Sequence, residues 1–121
     1  MKHRIAIPIE KGSLGCQFGL CKNFMIYTIN DNGSINSESC FNSNDDIVKQ
    51  LEWLKAHNVT DIIAYKINRE LIELIIKNKM NIFIGAPLQS PEELLRSYLD
   101  GDLESDINVL HNNELDNDIN N

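Results

Sequence analysis

The chain has 121 residues, enough for one domain with a single core. Its net charge of −7 is uneven: residues 1–99 hold eleven acidic and eleven basic side chains, while residues 100–121 hold seven acids and no Lys or Arg. A neutral body with an acidic tail disfavours phosphate backbones, and no apolar run reaches the roughly eighteen residues of a membrane span, so neither nucleic acid nor membrane is an expected partner.

The run Arg4-Ile5-Ala6-Ile7-Pro8-Ile9 reads as a first strand. It is too short for a signal-peptide core. The three cysteines do not form a secreted disulfide pattern, so a cytoplasmic protein with reduced thiols is expected. A glycine-rich connection follows, Gly15-Cys16-Gln17-Phe18-Gly19-Leu20-Cys21, with two thiols flanking a Phe-Gly pair. Phe24 to Ile29 is a second strand. Asn32-Gly33 marks a hairpin into a third, Ile35 to Phe41. If that turn centres on Asn32, facing residues have numbers summing to about 64, which sets Cys40 opposite Phe24.

Ser43 to Asp46 supplies a helix start, and Ile47, Val48, Leu51 and Leu54 follow at helical spacing as far as His57-Asn58. Asp61 to Tyr65 is a fourth strand. Asn68 caps a second helix with an inward stripe of Leu71, Ile72, Ile75 and Ile76. Asn81 to Ile84 is a fifth strand. Ser90-Pro91-Glu92-Glu93 starts a third helix whose Leu94, Leu95, Tyr98 and Leu99 turn inward before Asp100-Gly101 ends it. The order βββαβαβα predicts an α/β fold with a mixed five-stranded sheet, the first, fourth and fifth strands parallel, covered by helices. The domain spans 1–103, and 104–121 form an acidic Asn/Asp-rich mobile tail.

Two readings of the cysteines stay open. Cys16, Cys21 and Cys40 gather at one sheet end and could ligate a soft metal ion or a sulfide-bridged cluster. Equally, they are small buried hydrophobes, the commoner fate of free cysteine. Tyr65, Lys66 and Gly85 reach the same end if the late strands run parallel to the first. Open α/β sheets bind ligands there. His3, His57 and His111 have no ligand-like spacing and are expected to face solvent. No clustered carboxylates or nucleophile–base set suggests an enzyme.

Residues 4–103 resemble the dinitrogenase iron–molybdenum cofactor biosynthesis and carrier family. The resemblance is carried by Ile5-Ala6-Ile7-Pro8-Ile9, by Phe18-Gly19 with Asn23-Phe24-Met25-Ile26-Tyr27, and by Asp61-Ile62-Ile63-Ala64. Ile82-Phe83-Ile84-Gly85-Ala86-Pro87 and Glu92-Glu93-Leu94-Leu95 with Tyr98-Leu99-Asp100-Gly101-Asp102-Leu103 continue it. It implies a ribonuclease-H-like fold and a non-enzymatic role, related to nitrogen fixation, in carrying or assembling a metal–sulfur cluster. The cargo would be an iron–sulfur or molybdenum–iron–sulfur cluster held near Gln17, Phe18, Gly19, Tyr65, Lys66 and Gly85, with a cluster donor or acceptor protein as partner. The chain departs from the family pattern where members commonly read Ser-x-His-Phe-Gly-Arg: Gln17 stands for the histidine and Leu20 for the arginine. The alternative is therefore a protein-interaction or regulatory module that kept the fold and binds no metal.

Overall fold

In the computed structural model, which describes residues 2–15, 17–42 and 46–106, the first strand is the middle of the sheet. Strand β1 (His3–Glu10) pairs antiparallel with β3 (Asn23–Ile29) on one side and parallel with β5 (Asp61–Ile63) on the other. Strand β4 (Ile35–Phe41) lies outside β3, and β6 (Asn81–Phe83) lies outside β5, giving the order β4-β3-β1-β5-β6. The expected five strands and their directions are all present.

A sixth strand, β2 (Ser13–Leu14), folds back on the end of β1 and was not anticipated from the sequence. The turn between them has Lys11 and Gly12 both at positive φ, 54° and 82°. That is the geometry of a tight two-residue hairpin. Glycine adopts it freely and lysine does not, so Lys11 carries backbone strain in this turn.

Because β1 is central, Ile5, Ala6, Ile7 and Pro8 are all buried and read as a continuous apolar run rather than an alternating one. Their side chains still alternate between two cores. Helices α1 (Ile47–Ala56) and α2 (Arg69–Lys77) pack Leu51, Leu54, Leu71 and Ile75 onto the face holding Ala6, Ile26 and Ile62. Helix α3 (Pro91–Leu99) packs Leu94 and Leu95 onto the face holding Ile5, Ile7 and Ile63. Pro8 is tolerated because the even residues of β1 turn their peptide groups towards β5, as the Thr60 N–H to Arg4 carbonyl bond shows. Its missing N–H falls beyond the last paired residues, Ala6 and Ile62.

The caps of α2 and α3 are the expected ones: Asn68 and Ser90 accept from the Glu70 and Glu93 N–H groups. In α1 the last residue of the expected start, Asp46, is itself the cap and accepts from the Val48 N–H. Two expected inward residues are exposed instead. Ile76 lies about 100° around α2 from Ile75, off the buried face, and Leu99 ends α3 beyond the packed turns. Leu103 is buried against the α3 face. Beyond it, the Asp106 N–H donates to the Ile84 carbonyl (2.6 Å), and the Ile84 N–H donates to Ser105 Oγ (3.1 Å). The start of the expected tail is thus tied to the sheet edge, and residues 107–121 lie outside the described residues.

At the N-terminal end of the parallel strands, Asp61 is only 4% exposed. Tyr98 Oη donates to its Oδ2 (2.9 Å), and His3 Nδ1 lies 3.6 Å from its Oδ1. Burial, then the hydrogen bond to Asp61 and its charge, pushes the Tyr98 phenol well above its usual range. Tyr98 therefore remains a donor at any physiological pH. Tyr98→Phe leaves the buried carboxylate short of a donor. It is expected to cost about 1–3 kcal/mol in denaturant unfolding, more than a generic surface substitution.

Candidate functional site

The Phe-Gly loop is held against the C-terminal ends of the parallel strands. Gln17 forms an isolated parallel bridge with Lys66, and the Phe18 N–H donates to the Lys66 carbonyl at 2.9 Å. The Gly85 N–H donates in turn to the Tyr65 carbonyl at 2.9 Å. Gln17, Phe18, Gly19, Tyr65, Lys66 and Gly85 are thereby brought to one end of the sheet, as their sequence positions led us to expect.

Within the loop the roles divide. Phe18 is 2% exposed and meets Phe24 edge-on at 6.3 Å between ring centroids. It anchors the loop in the core and presents no surface to a ligand. Gly19 has φ +101° and follows Phe18 in a turn closed by the Leu20 N–H to the Gln17 carbonyl. A Cβ there would also press on Ile47 Cδ1 at 3.0 Å. Gln17 and Leu20 remain exposed, the latter at 72%. Among the described residues of the loop, the outward surface is thus an amide and an aliphatic chain.

One bracing residue escaped the sequence reading. Gln50, on α1 and 1% exposed, donates from Nε2 to the Gly19 carbonyl at 3.3 Å. The available signal was a polar side chain three residues after Ile47 and four before Leu54, inside the buried stripe. His57 also differs from its expected solvent-facing position. It is half-buried, with its ring 4.2 Å from that of Trp53 and Nδ1 2.8 Å from the Trp53 carbonyl. His3, likewise expected in solvent, turns Nδ1 towards Asp61.

The hairpin register is as expected: Phe24 faces Cys40. Cys40 is partly buried on the face of α1. Burial first, and then the charge of Glu38 nearby, raises its thiol pKa above the ordinary value, against a smaller pull from Arg4. Cys21 is 5% exposed, with Sγ 3.7 Å from the Gln17 carbonyl. Cys16 lies outside the described residues. Among the described residues no three His, Cys, Asp or Glu side chains are close enough together to hold a metal ion.

A cavity of about 420 Å³ opens beside the loop, between the β1–β2 turn and the start of β3. Lys11, Leu20, Cys21, Lys22, Met25 and Ser39 are among its walls. Of the candidate ligands among the described residues, only Cys21 lines it. The cavity combines one thiol, two ammonium groups and the Glu10 carboxylate with apolar walls, a net positive lining that suits a small thiophilic guest of modest negative charge.

These features are those of a mixed α/β domain with a Phe-Gly loop held at its strand ends. The family model described as dinitrogenase iron-molybdenum cofactor matches residues 1–101, and the chain belongs to this family. The fold is similar to three solved structures. PH0822 gives a TM-score of 0.74 at 20% identity, covering 85% of this chain and 96% of that one. A dinitrogenase candidate from Methanocaldococcus jannaschii gives 0.69 at 23% identity, covering 86% and 94%. The apo form of the orange protein from Desulfovibrio gigas gives 0.72 at 13% identity, covering 86% and 92%. No curated protein matches the chain. Among the described residues no helix is long and apolar enough to cross a membrane.

Two outcomes test this local geometry. A Cβ at Gly15 would collide with Cys21 Sγ, so Gly15→Ala is expected to lower stability by about 1–3 kcal/mol, measured by chemical unfolding. Adding Cys21→Ala recovers part of that loss, because the two side chains compete for one space. In a variant whose only thiol is Cys40, alkylation by iodoacetamide at pH 8 is expected to be slower than that of a free thiol. It accelerates in Glu38→Gln, because removing the negative charge makes the thiolate easier to form.

Proposed function

We propose that this protein is a non-enzymatic carrier or assembly factor for a metal–sulfur cluster of the iron–molybdenum type, exchanged with a donor or acceptor protein. The observation that carries the reading is the bridge between Gln17 and Lys66. It holds the family's Phe-Gly loop at the strand ends, next to a cavity walled by Cys21, Lys11 and Lys22. A cluster arriving as cargo needs a soft donor and cationic groups to offset its charge. Cys21 with Cys16 would supply the thiols, and Lys11 and Lys22, partly offset by Glu10, a net positive field. Cys40 is a less ready ligand, because its raised pKa keeps it protonated at neutral pH. Gln17, in the position where the family carries histidine, contributes an amide, a poor ligand for iron.

The second reading is an interaction module that kept the fold without the metal. It is favoured by the burial of Cys21 at 5% exposure, which suits a small core hydrophobe as well as a ligand.

Anaerobic incubation of the full chain with ferrous iron, sulfide and tetrathiomolybdate, followed by desalting and metal analysis, distinguishes the two. Carriage predicts retained iron or molybdenum with a thiolate charge-transfer absorption. Cys16→Ser with Cys21→Ser lowers retention by roughly tenfold at unchanged circular dichroism. No retention by the unaltered chain supports the second reading. Retention unaffected by the double substitution removes the thiols from the site.

A further inference from the structure

We propose that the free edge of β4 is a self-recognition surface, through which two copies of this chain pair their β4 strands antiparallel about a two-fold axis at Glu38. Among the described residues, strand β4 is the outermost strand on the β3 side of the sheet. Every residue from Ile35 to Phe41 except Cys40 is exposed, including the large apolar Ile35 (42%) and Phe41 (63%). Edge strands are normally guarded by Pro, Lys or a bulge. This one contains no Pro or Lys, and its pairing with β3 runs without a bulge from Ile29↔Ile35 to Asn23↔Phe41.

The direction of its peptide groups follows from the register. The Asn42 N–H donates to the Lys22 carbonyl and the Asn30 N–H to the Ser34 carbonyl, so the even positions of the hairpin are the hydrogen-bonded pairs. Asn36, Glu38 and Cys40 therefore bond to β3. Ile35, Ser37, Ser39 and Phe41 turn N–H and C=O outward as a template for a further strand.

The side chains select the partner. The strand reads Ile-Asn-Ser-Glu-Ser-Cys-Phe, a near-palindrome about Glu38. An isologous contact requires such self-complementarity. In the register centred there, Ile35 faces the partner's Phe41, and Ser37 faces the partner's Ser39. These are hydrogen-bonded positions on the sheet face away from α1. Asn36 faces the partner's Cys40 at a non-hydrogen-bonded position on the other face. The one formal charge on the strand, Glu38, meets its own copy on the axis. Each carboxylate already carries an Arg4 guanidinium at 2.8 Å, so the axis gathers two neutral pairs rather than two bare anions. Seven-residue strands joined edge to edge bury less than the roughly 1,200 Å² of a standard stable interface, so the dimer is reversible.

Sedimentation velocity and light scattering on the full chain, from low to high micromolar concentration, are expected to show a concentration-dependent dimer. Ser39→Pro removes one outward N–H and leaves the β3 ladder intact. It is expected to weaken dimerisation by roughly tenfold or more without changing the circular dichroism. Phe41→Lys does the same without altering the backbone, should the proline variant fail to fold. Register is read by Asn36→Cys, which under mild oxidation crosslinks to the partner's Cys40 and loses that crosslink when Cys40→Ser is added. A chain monomeric at the highest concentration overturns the proposal. So does a dimer unaffected by Ser39→Pro and Phe41→Lys, or a crosslink that does not need Cys40.

Discussion

Everything in this domain is measured from β1. It is paired along its length with β3, and at Ile5 and Ala6 with β5 running in its own direction. Helices α1 and α2 cover one face of the sheet and α3 the other, so a strand at its centre is solvated on neither face and its middle residues are apolar throughout. The parallel partner also decides where function can sit. The C-terminal ends of β1, β5 and β6 point the same way, and the segments leaving them are forced together. The bridge from Gln17 to Lys66 and the bond from Gly85 to Tyr65 continue the sheet's hydrogen bonding past its formal edge. The Phe-Gly loop is thus an extension of the sheet.

That loop shows how a short motif can be structural and positional at once. Phe18 and Gly19 are placed by the core: one ring buried against Phe24, one backbone turned at positive φ, and one carbonyl bound by Gln50 of α1. None of these groups needs to touch a guest. What they do is hold Gln17, Leu20 and Cys21 in place. The exposed chemistry of the loop can change without loss of its anchor, because different residues carry the two tasks.

Much of this was legible in the sequence. The Asn32-Gly33 turn set the β3–β4 register to the residue, and Asn68, Ser90 and the stretch ending at Asp46 announced their helices. These signals are local, and local signals survive in one dimension. What was missed depends on distant partners. Strand β2 has two residues, and its Leu14 N–H donates to the Gln89 carbonyl, seventy-five positions away. Its turn uses Lys11-Gly12, a weaker hairpin signal than Asn-Gly. Asp61 looked like a polar strand start, and only the fold brings Tyr98 and His3 to it. The inward stripes of α2 and α3 were drawn one residue too wide, because periodicity sets the direction of a helix face and the neighbouring strands set its width. The end of the sheet where a ligand would sit could be read in advance; the cavity beside it, made by the unforeseen β2 hairpin, could not.

The central position of β1 also has a consequence in time. Its pairing with β3 closes a short stretch of chain, and β4 joins through the next hairpin. The β1–β5 pair instead links residues 5–6 to residues 61–62. During synthesis the meander can assemble while the other side of β1, apolar and rich in unpaired peptide groups, still waits for its neighbour. Parallel pairings across such a separation form late, because the chain entropy of closing them is lost before the contacts are gained. At Pro8 that side has no N–H to offer and its carbonyl is taken by the Gly15 N–H of the local β2 hairpin, so the edge left waiting for β5 is shortened to Arg4 and Ala6.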